Sequence, residues 1–213
     1  MENELFQGLL DKSLTKDGLF NLVKTNNNLI PDIIKGVSSS KATIRYSCAK
    51  VLMDLSEENP EKIYDYMDFF INLLYSKYRI LTWNAIITIA NLTKVDTMKK
   101  FDKIFDKYFG LLHDEYMVTV ANIVGSSRKI ALAKPYLINK ITTELLKVDK
   151  IKITLHLTEE CKRVIAEKTI ISFDTFFSKI EDKEKVLSFA EKHINSSRKT
   201  LKNEAEKFIK KWD

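Results

Sequence analysis

An all-α fold of helices stacked as successive pairs is predicted by three observations. The first is repetition: Asn59-Pro60, Asp96-Thr97 and Lys134-Pro135 recur at steps of 37 and 38 residues. Asp54-Leu55-Ser56 returns as Asn91-Leu92-Thr93, and Phe69-Phe70-Ile71-Asn72-Leu73-Leu74 is matched by Tyr108-Phe109-Gly110-Leu111-Leu112. The second is composition. Five Gly and three Pro against 30% charged residues leave too few turn formers for a β-sandwich of this length. The third is apolar spacing at three and four residues, the period of a helix with one buried stripe. Self-similarity at this period marks helix pairs that each bury an apolar edge against the next. The 213 residues suffice for five to six such pairs.

The elements follow in order. Residues 1–40 are the least regular: short helices are expected at 2–12 and 15–26, with Thr15 as a cap. Pro31 suits the first turn of a further short helix ending near Gly36. Ser40 is placed to cap the next helix. From residue 41 the repeats are clear. Helices are expected at 41–57, 78–93 and 116–132, each followed by a second helix at 60–77, 97–114 and 135–148. Asn59 and Asp96 are expected to cap the first two of those second helices. Gly125, with Ser126 and Ser127, lies inside a first helix, where small residues permit close approach or a kink. Residues 147–157 interrupt the period with an alternation of Val148, Ile151, Ile153, Leu155 and Leu157, expected to be a longer connection. Thr158 then caps a helix to about 171, with Glu159 and Glu160 in its positive first turn. Further helices fit 172–180, 182–195 and 197–212. The last is polar on most of its circumference, as the end of such an array requires.

The formal charge of +6 is unevenly placed. Residues 116–157 hold Arg128, Lys129, Lys134, Lys140, Lys147, Lys150 and Lys152 against only Glu144 and Asp149, a net of +5. Two cysteines, Cys48 and Cys161, make neither a disulfide framework nor a metal spacing; both are expected to be buried thiols, as in a reducing cytoplasm. The acidic start Met1-Glu2-Asn3-Glu4 is no secretory signal. No apolar run approaches the ~18 residues that a membrane span needs, so no membrane partner is expected.

Paired helices at this period, an Asp or Asn near the end of the first helix, and proline opening the second together resemble HEAT repeats. The resemblance is clear over 41–148, looser over 158–213 and weakest over 1–40. It implies one continuous domain: a right-handed α-α superhelix of roughly 11–13 helices. It also implies that Asp54 and Asn91 are ladder residues, their side chains bonding backbone in the turn between helices.

No chemistry of catalysis stands out. The glycines form no phosphate loop, and His113, His156 and His193 make no metal spacing. No catalytic residue, cofactor or metal is expected. His113 suits the negative end of a helix. His156 and Cys161 are close in sequence, but Cys161 falls in an apolar helical pattern and is expected in the core. HEAT-like alkylpurine DNA glycosylases use Trp and Asp on a basic surface; here Trp83 lies among Ile86, Ile87 and Ala90 with no acid at helical spacing, so core packing is expected. The five arginines, Arg45, Arg79, Arg128, Arg163 and Arg198, fall near or within first helices. The candidate surface for an anion or a partner is Arg128, Lys129, Lys134, Lys140 and Lys147. A solvated lysine-rich face is the plainer reading, since Lys outnumbers Arg thirty to five. The expected function is a cytoplasmic, non-enzymatic scaffold that binds another protein in the groove lined by second helices. The alternative is nucleic-acid binding around residues 128–152.

Overall fold

A computed structural model of the chain describes residues 2–212, and within them there are twelve α-helices and no β-strand. The chain divides into two compact units, Met1–Asp102 and Lys103–Asp213.

The first unit contains α1 (Glu2–Asp11), α2 (Lys16–Thr25), α3 (Ile30–Gly36), α4 (Ala42–Glu58), α5 (Met67–Leu73), α6 (Arg79–Leu92) and the start of α7 (Lys100–Phe109). Its core is the apolar stripe of α4 (Val51, Leu52, Leu55) against that of α6 (Ala85, Ile86, Ile89), closed by Met67 and Phe70 of α5. Leu19 and Val23 of α2 are fully buried as well. Thr15 caps α2 by accepting from Gly18 N–H at 3.0 Å, and Pro31 sits in the first turn of α3. Gly36 is required by proximity. A Cβ there would lie 2.4 Å from Cys48 Sγ and 2.9 Å from Phe6 Cζ.

The second unit continues with the rest of α7 and then α8 (Met117–Ala133), α9 (Ile138–Leu145), α10 (Glu159–Phe176), α11 (Lys183–Glu191) and α12 (Lys199–Trp212). Val120, Ile123 and Val124 of α8 are buried with Ile165, Phe173 and Phe176 of α10. Phe189 of α11 meets Phe173 edge-on at 5.9 Å, and Phe208 of α12 meets Phe177 at 5.1 Å.

The first helices of the repeats fall within one residue of expectation, at α4, α6 and α8. The second helices differ. Each contains a short α-helix flanked by tighter 3-10 turns: Pro60–Lys62 and Tyr64–Tyr66 before α5, Gly110–His113 after α7, Pro135–Leu137 before and Leu146–Lys150 after α9. Proline at the start removes one amide donor, and Ile63 at φ −123°, ψ 6° separates the two turns before α5. Residues 172–176 extend α10 instead of opening a new helix, because Ile170, Phe173 and Phe176 keep the helical period.

Caps differ too. Residue Lys41, not Ser40, precedes α4, and Ser39 Oγ accepts the Lys41 N–H at 3.2 Å. Asn59 makes no side-chain cap; its Oδ1 is buried without a hydrogen-bond partner. Gly125 faces open space, and α8 runs through it unbroken. Residues 151–158 form a turn with an isolated antiparallel bridge between Thr154 and Leu157.

Candidate interaction surface

The five cations singled out in the sequence are not one surface. Arg128 is exposed on α8, and among the described residues it has no ion-pair partner. Lys129, next to it, is half-buried. Lys134 is only 4% exposed, a correction to its expected place on the surface. Its Nζ donates to Tyr136 Oη at 3.1 Å, so the stem is packed and the charge is turned onto a neighbouring phenol. Lys140 Nζ lies 2.9 Å from Asp106 Oδ1 and 4.1 Å from the centre of the Phe105 ring. Lys147 Nζ donates to both carboxylate oxygens of Glu144 at 2.7 Å. Two cations are thus neutralised locally and one is withdrawn.

Three of the arginines are also spent inside the fold. Arg45 is 5% exposed; its guanidinium donates to Ser39 O at 2.8 Å and lies 3.8 Å from the Tyr78 ring centre. Arg198 donates to Glu167 at 2.7 Å and Glu160 at 2.6 Å, fastening the start of α12 to α10. Arg163 donates to Glu160 at 2.7 Å. Hydrogen bonds from Arg163 and then Arg198 hold the Glu160 carboxyl below its ordinary range.

Of the ladder expected at Asp54 and Asn91, Asp54 takes a different place. The Asp54 carboxylate pairs with Lys50 one turn back on a half-exposed face of α4. The buried role falls two residues later. Ser56 Oγ donates to Met53 O at 2.5 Å and accepts from Asn91 Nδ2 at 2.9 Å, joining α4 to α6. Thr93 and Ser127 repeat the Ser56 pattern, donating to Ala90 O and Val124 O at 2.6 Å. Within the second unit Ser172 of α10 donates to Val124 O of α8 at 2.9 Å. The recurrence of Ser56 as Thr93 was the sequence signal for this seam.

Asp96 behaves as a cap. Its Oδ1 accepts from Lys100 N–H at 2.8 Å and Oδ2 from Phe101 N–H at 2.9 Å, while Tyr64 Oη donates to Oδ1 at 2.7 Å. The chain reaches α7 through Lys99 at φ 52°, which is why the helix starts three residues later than expected.

His156 stacks on Tyr116 at 4.3 Å, and Cys161 accepts from Thr158 Oγ1 at 3.3 Å. Cys161 is half-exposed, not core as expected, since it sits in the first turn of α10. Cys48 is buried as expected, and burial pushes its thiol up to about 12. His113 is exposed at the end of its 3-10 turn. Trp83 is half-buried. At Trp212 the indole meets an acid: its Nε1 donates to Asp174 Oδ1 at 2.6 Å, and Lys211 Nζ bonds the same carboxylate at 2.8 Å, docking the end of α12 on α10. Among the described residues no cluster of three His, Cys, Asp or Glu could hold a metal ion. No described helix is long and apolar enough to cross a membrane.

No protein-family model matches the chain, and no curated protein does. Solved structures do match. A designed armadillo repeat protein is 15% identical over 93% of this chain and 93% of its own, with a TM-score of 0.58. The fold is an armadillo-like helical repeat. The crystal structure of an engineered protein, 13% identical over 98% of this chain and 88% of that one, matches with a TM-score of 0.57. At such identities the armadillo-like likeness concerns the path of the helices and not an activity.

Proposed function

We propose that the protein is a non-enzymatic scaffold whose armadillo-like repeats bind another protein through the exposed faces of the second helices. The observation that carries this reading is the charge balance of those faces. Lys100 sits 2.7 Å from Asp68, Lys140 2.9 Å from Asp106 and Lys147 2.7 Å from Glu144. Interleaved charges of both signs, with aromatic side chains buried beneath, suit the polar, hydrogen-bonding surface of another protein. A polyanion gains little from lysines already paired, because its affinity comes from cations that displace its counterions. Nucleic-acid binding around residues 128–152 is therefore the weaker reading, left with Arg128, Lys150 and Lys152 as its unpaired cations.

The test is capture with the full chain as bait, beside a variant carrying Asp106→Lys and Glu144→Lys and a control altered on the outer face of α4 at Lys50→Glu. A protein recovered by the wild type and the control but lost from the second-helix variant supports the scaffold. Equal recovery by all three sinks it. Retention on DNA or RNA at low salt that falls steeply as salt rises would replace it with the nucleic-acid reading.

A further inference from the structure

The outer faces of α8, α10 and α12 expose an apolar line that the second-helix reading does not use. Val118, Gly125 and Leu132 of α8 lie seven residues apart and so share one face. Val118 is 41% and Leu132 56% exposed. Between them a Cβ on Gly125 would meet nothing within 4 Å, and the backbone there is ordinary helix. Glycine weakens a helix interior relative to alanine, and here neither packing nor a positive φ calls for it. Ser172 of α10 donates to Val124 O of α8, and Asp174 of α10 accepts from Trp212 and Lys211 of α12. Those contacts set Gly125, Ile171 and Phe208 at about one level across the three helices. At that level a cleft of about 250 Å³ opens between α10 and α12. Ile170 and Phe208 form its floor, and Ile171, 37% exposed, forms its rim.

The charge along this line is positive. Arg128, three residues after Gly125, and Lys168, three before Ile171, are exposed and have no ion-pair partner among the described residues. On the sides of the cleft Lys211 meets Asp174 and Lys207 meets Glu204, each at 2.8 Å, so those four charges cancel. Nearer the start of α10, Glu160 and Glu167 are matched by Arg163 and Arg198. No acid occurs from Tyr116 to Thr143. Glu115 stands thirteen residues before Arg128, about 20 Å along α8, beyond the roughly 8 Å over which exposed charges act in physiological salt. We propose that this line is a docking face for an amphipathic helix of another protein. The apolar stripe of that helix crosses Gly125 and Ile171 with one side chain in the cleft, and its acidic flanks meet Arg128 and Lys168. Gly125 lets the two backbones approach. A helix satisfies its own amides, so it suits a face that offers apolar side chains and cations, whereas an extended segment needs donors and acceptors in register along its backbone. A polyanion would gain nothing from Leu132, Ile171 and the cleft floor. The contact is independent of the second-helix reading, since it uses other residues.

The experiment is selection of a displayed library of short peptides on the full chain. Enriched peptides should carry apolar residues at i, i+3, i+4 and i+7 with Asp or Glu beside them. Binding of one enriched peptide, followed by fluorescence anisotropy, should weaken about tenfold in Ile171→Ser and up to about fivefold in Arg128→Gln or Lys168→Gln. Gly125→Gln should weaken it as much as Ile171→Ser while leaving the melting temperature equal or higher, because the helix itself gains. A merely structural glycine would not show that combination. The second-helix variant Asp106→Lys with Glu144→Lys should bind the peptide unchanged, so this contact and the second-helix reading fail separately. Enrichment of basic peptides or of none, or full binding by Gly125→Gln, overturns the proposal. So does a dimer of the chain, or retention on single-stranded DNA, that Gly125→Gln abolishes, which would assign the face to a second copy or to nucleic acid.

Discussion

Asp96 in the first unit and Lys134 in the second hold the same place in successive repeats, 38 residues apart, and both are buried. One is an acid and the other a base. The helix that follows Asp96 offers unpaired N–H groups and the positive end of its dipole, and the carboxylate takes two of those donors directly. A lysine has nothing to accept with. At Lys134, as at Asn59, the next segment opens as a 3-10 turn at a proline without a side-chain cap, and the amine is sent to Tyr136. The repeat fixes where a buried polar side chain must sit; its chemistry decides whether it closes the helix or only fills the turn.

The largest break in this comparison comes at Asp96. Asp96→Ala removes the cap, taking away the acceptor of two amides and of the Tyr64 O–H, at a cost of about 3 kcal/mol. Lys134→Met keeps the aliphatic stem and removes the charge, and should cost about 1 kcal/mol or less. Urea unfolding at constant slope measures both. Equal losses at the two positions would mean that the carboxylate is not acting as a cap.

The seams differ in the same spirit. In the first unit α6 reaches α4 through an amide on a hydroxyl, Asn91 to Ser56, both fully buried. In the second unit α10 reaches α8 through a hydroxyl on a backbone carbonyl, Ser172 to Val124 O, a carbonyl that Ser127 already uses. Asn91→Leu leaves the Ser56 hydroxyl without its donor and replaces a buried amide, costing about 2 kcal/mol. Ser172→Ala leaves Val124 O satisfied and should cost about 0.5–1 kcal/mol. A larger loss at Ser172 than at Asn91 would reverse the ranking.

How much of this was legible in the sequence follows from the range of each interaction. The first helices were visible because a broad apolar stripe such as Ile44, Cys48, Val51, Leu52 and Leu55 is written in local spacing. The second helices were overextended, since the choice between 3-10 and α geometry at Pro60 or Pro135 rests on small differences that packing settles. The candidate cations were visible as a composition bias, but their fate was not. Lys140 meets Asp106 thirty-four residues away, and no local pattern announces that pairing. Asp54 and Ser56 are two residues apart on one helix, and only the position of α6 decides which of them is buried. Leu155 looked like one more apolar residue in an alternating run until the bridge at Thr154 turned it outward.

The smallest effect separates the units by pH, because His113, His156 and His193 all lie in the second. His193 is packed edge-on against Phe189, and its Nε2 is buried with no hydrogen-bond partner, 4.0 Å from Asp149 Oδ1. Asp149, Glu159, Lys162, Arg163 and Lys192 surround it. Burial pushes its pKa below the ordinary 6.5, with Asp149 opposing the shift and Lys192 adding to it. The unfolded chain therefore takes up the proton first. The contribution of neutral His193 is fully present above pH 6.5 and is lost as the pH falls through the lower folded value. His193→Phe keeps an aromatic ring beside Phe189 and removes the titration. Melting temperatures of wild type and variant should run parallel above about pH 7 and converge or cross on the way to about pH 5. Parallel curves across the whole range would show that His193 protonates alike in the folded and unfolded chains, and the half-buried imidazole would then cost the second unit nothing in acid.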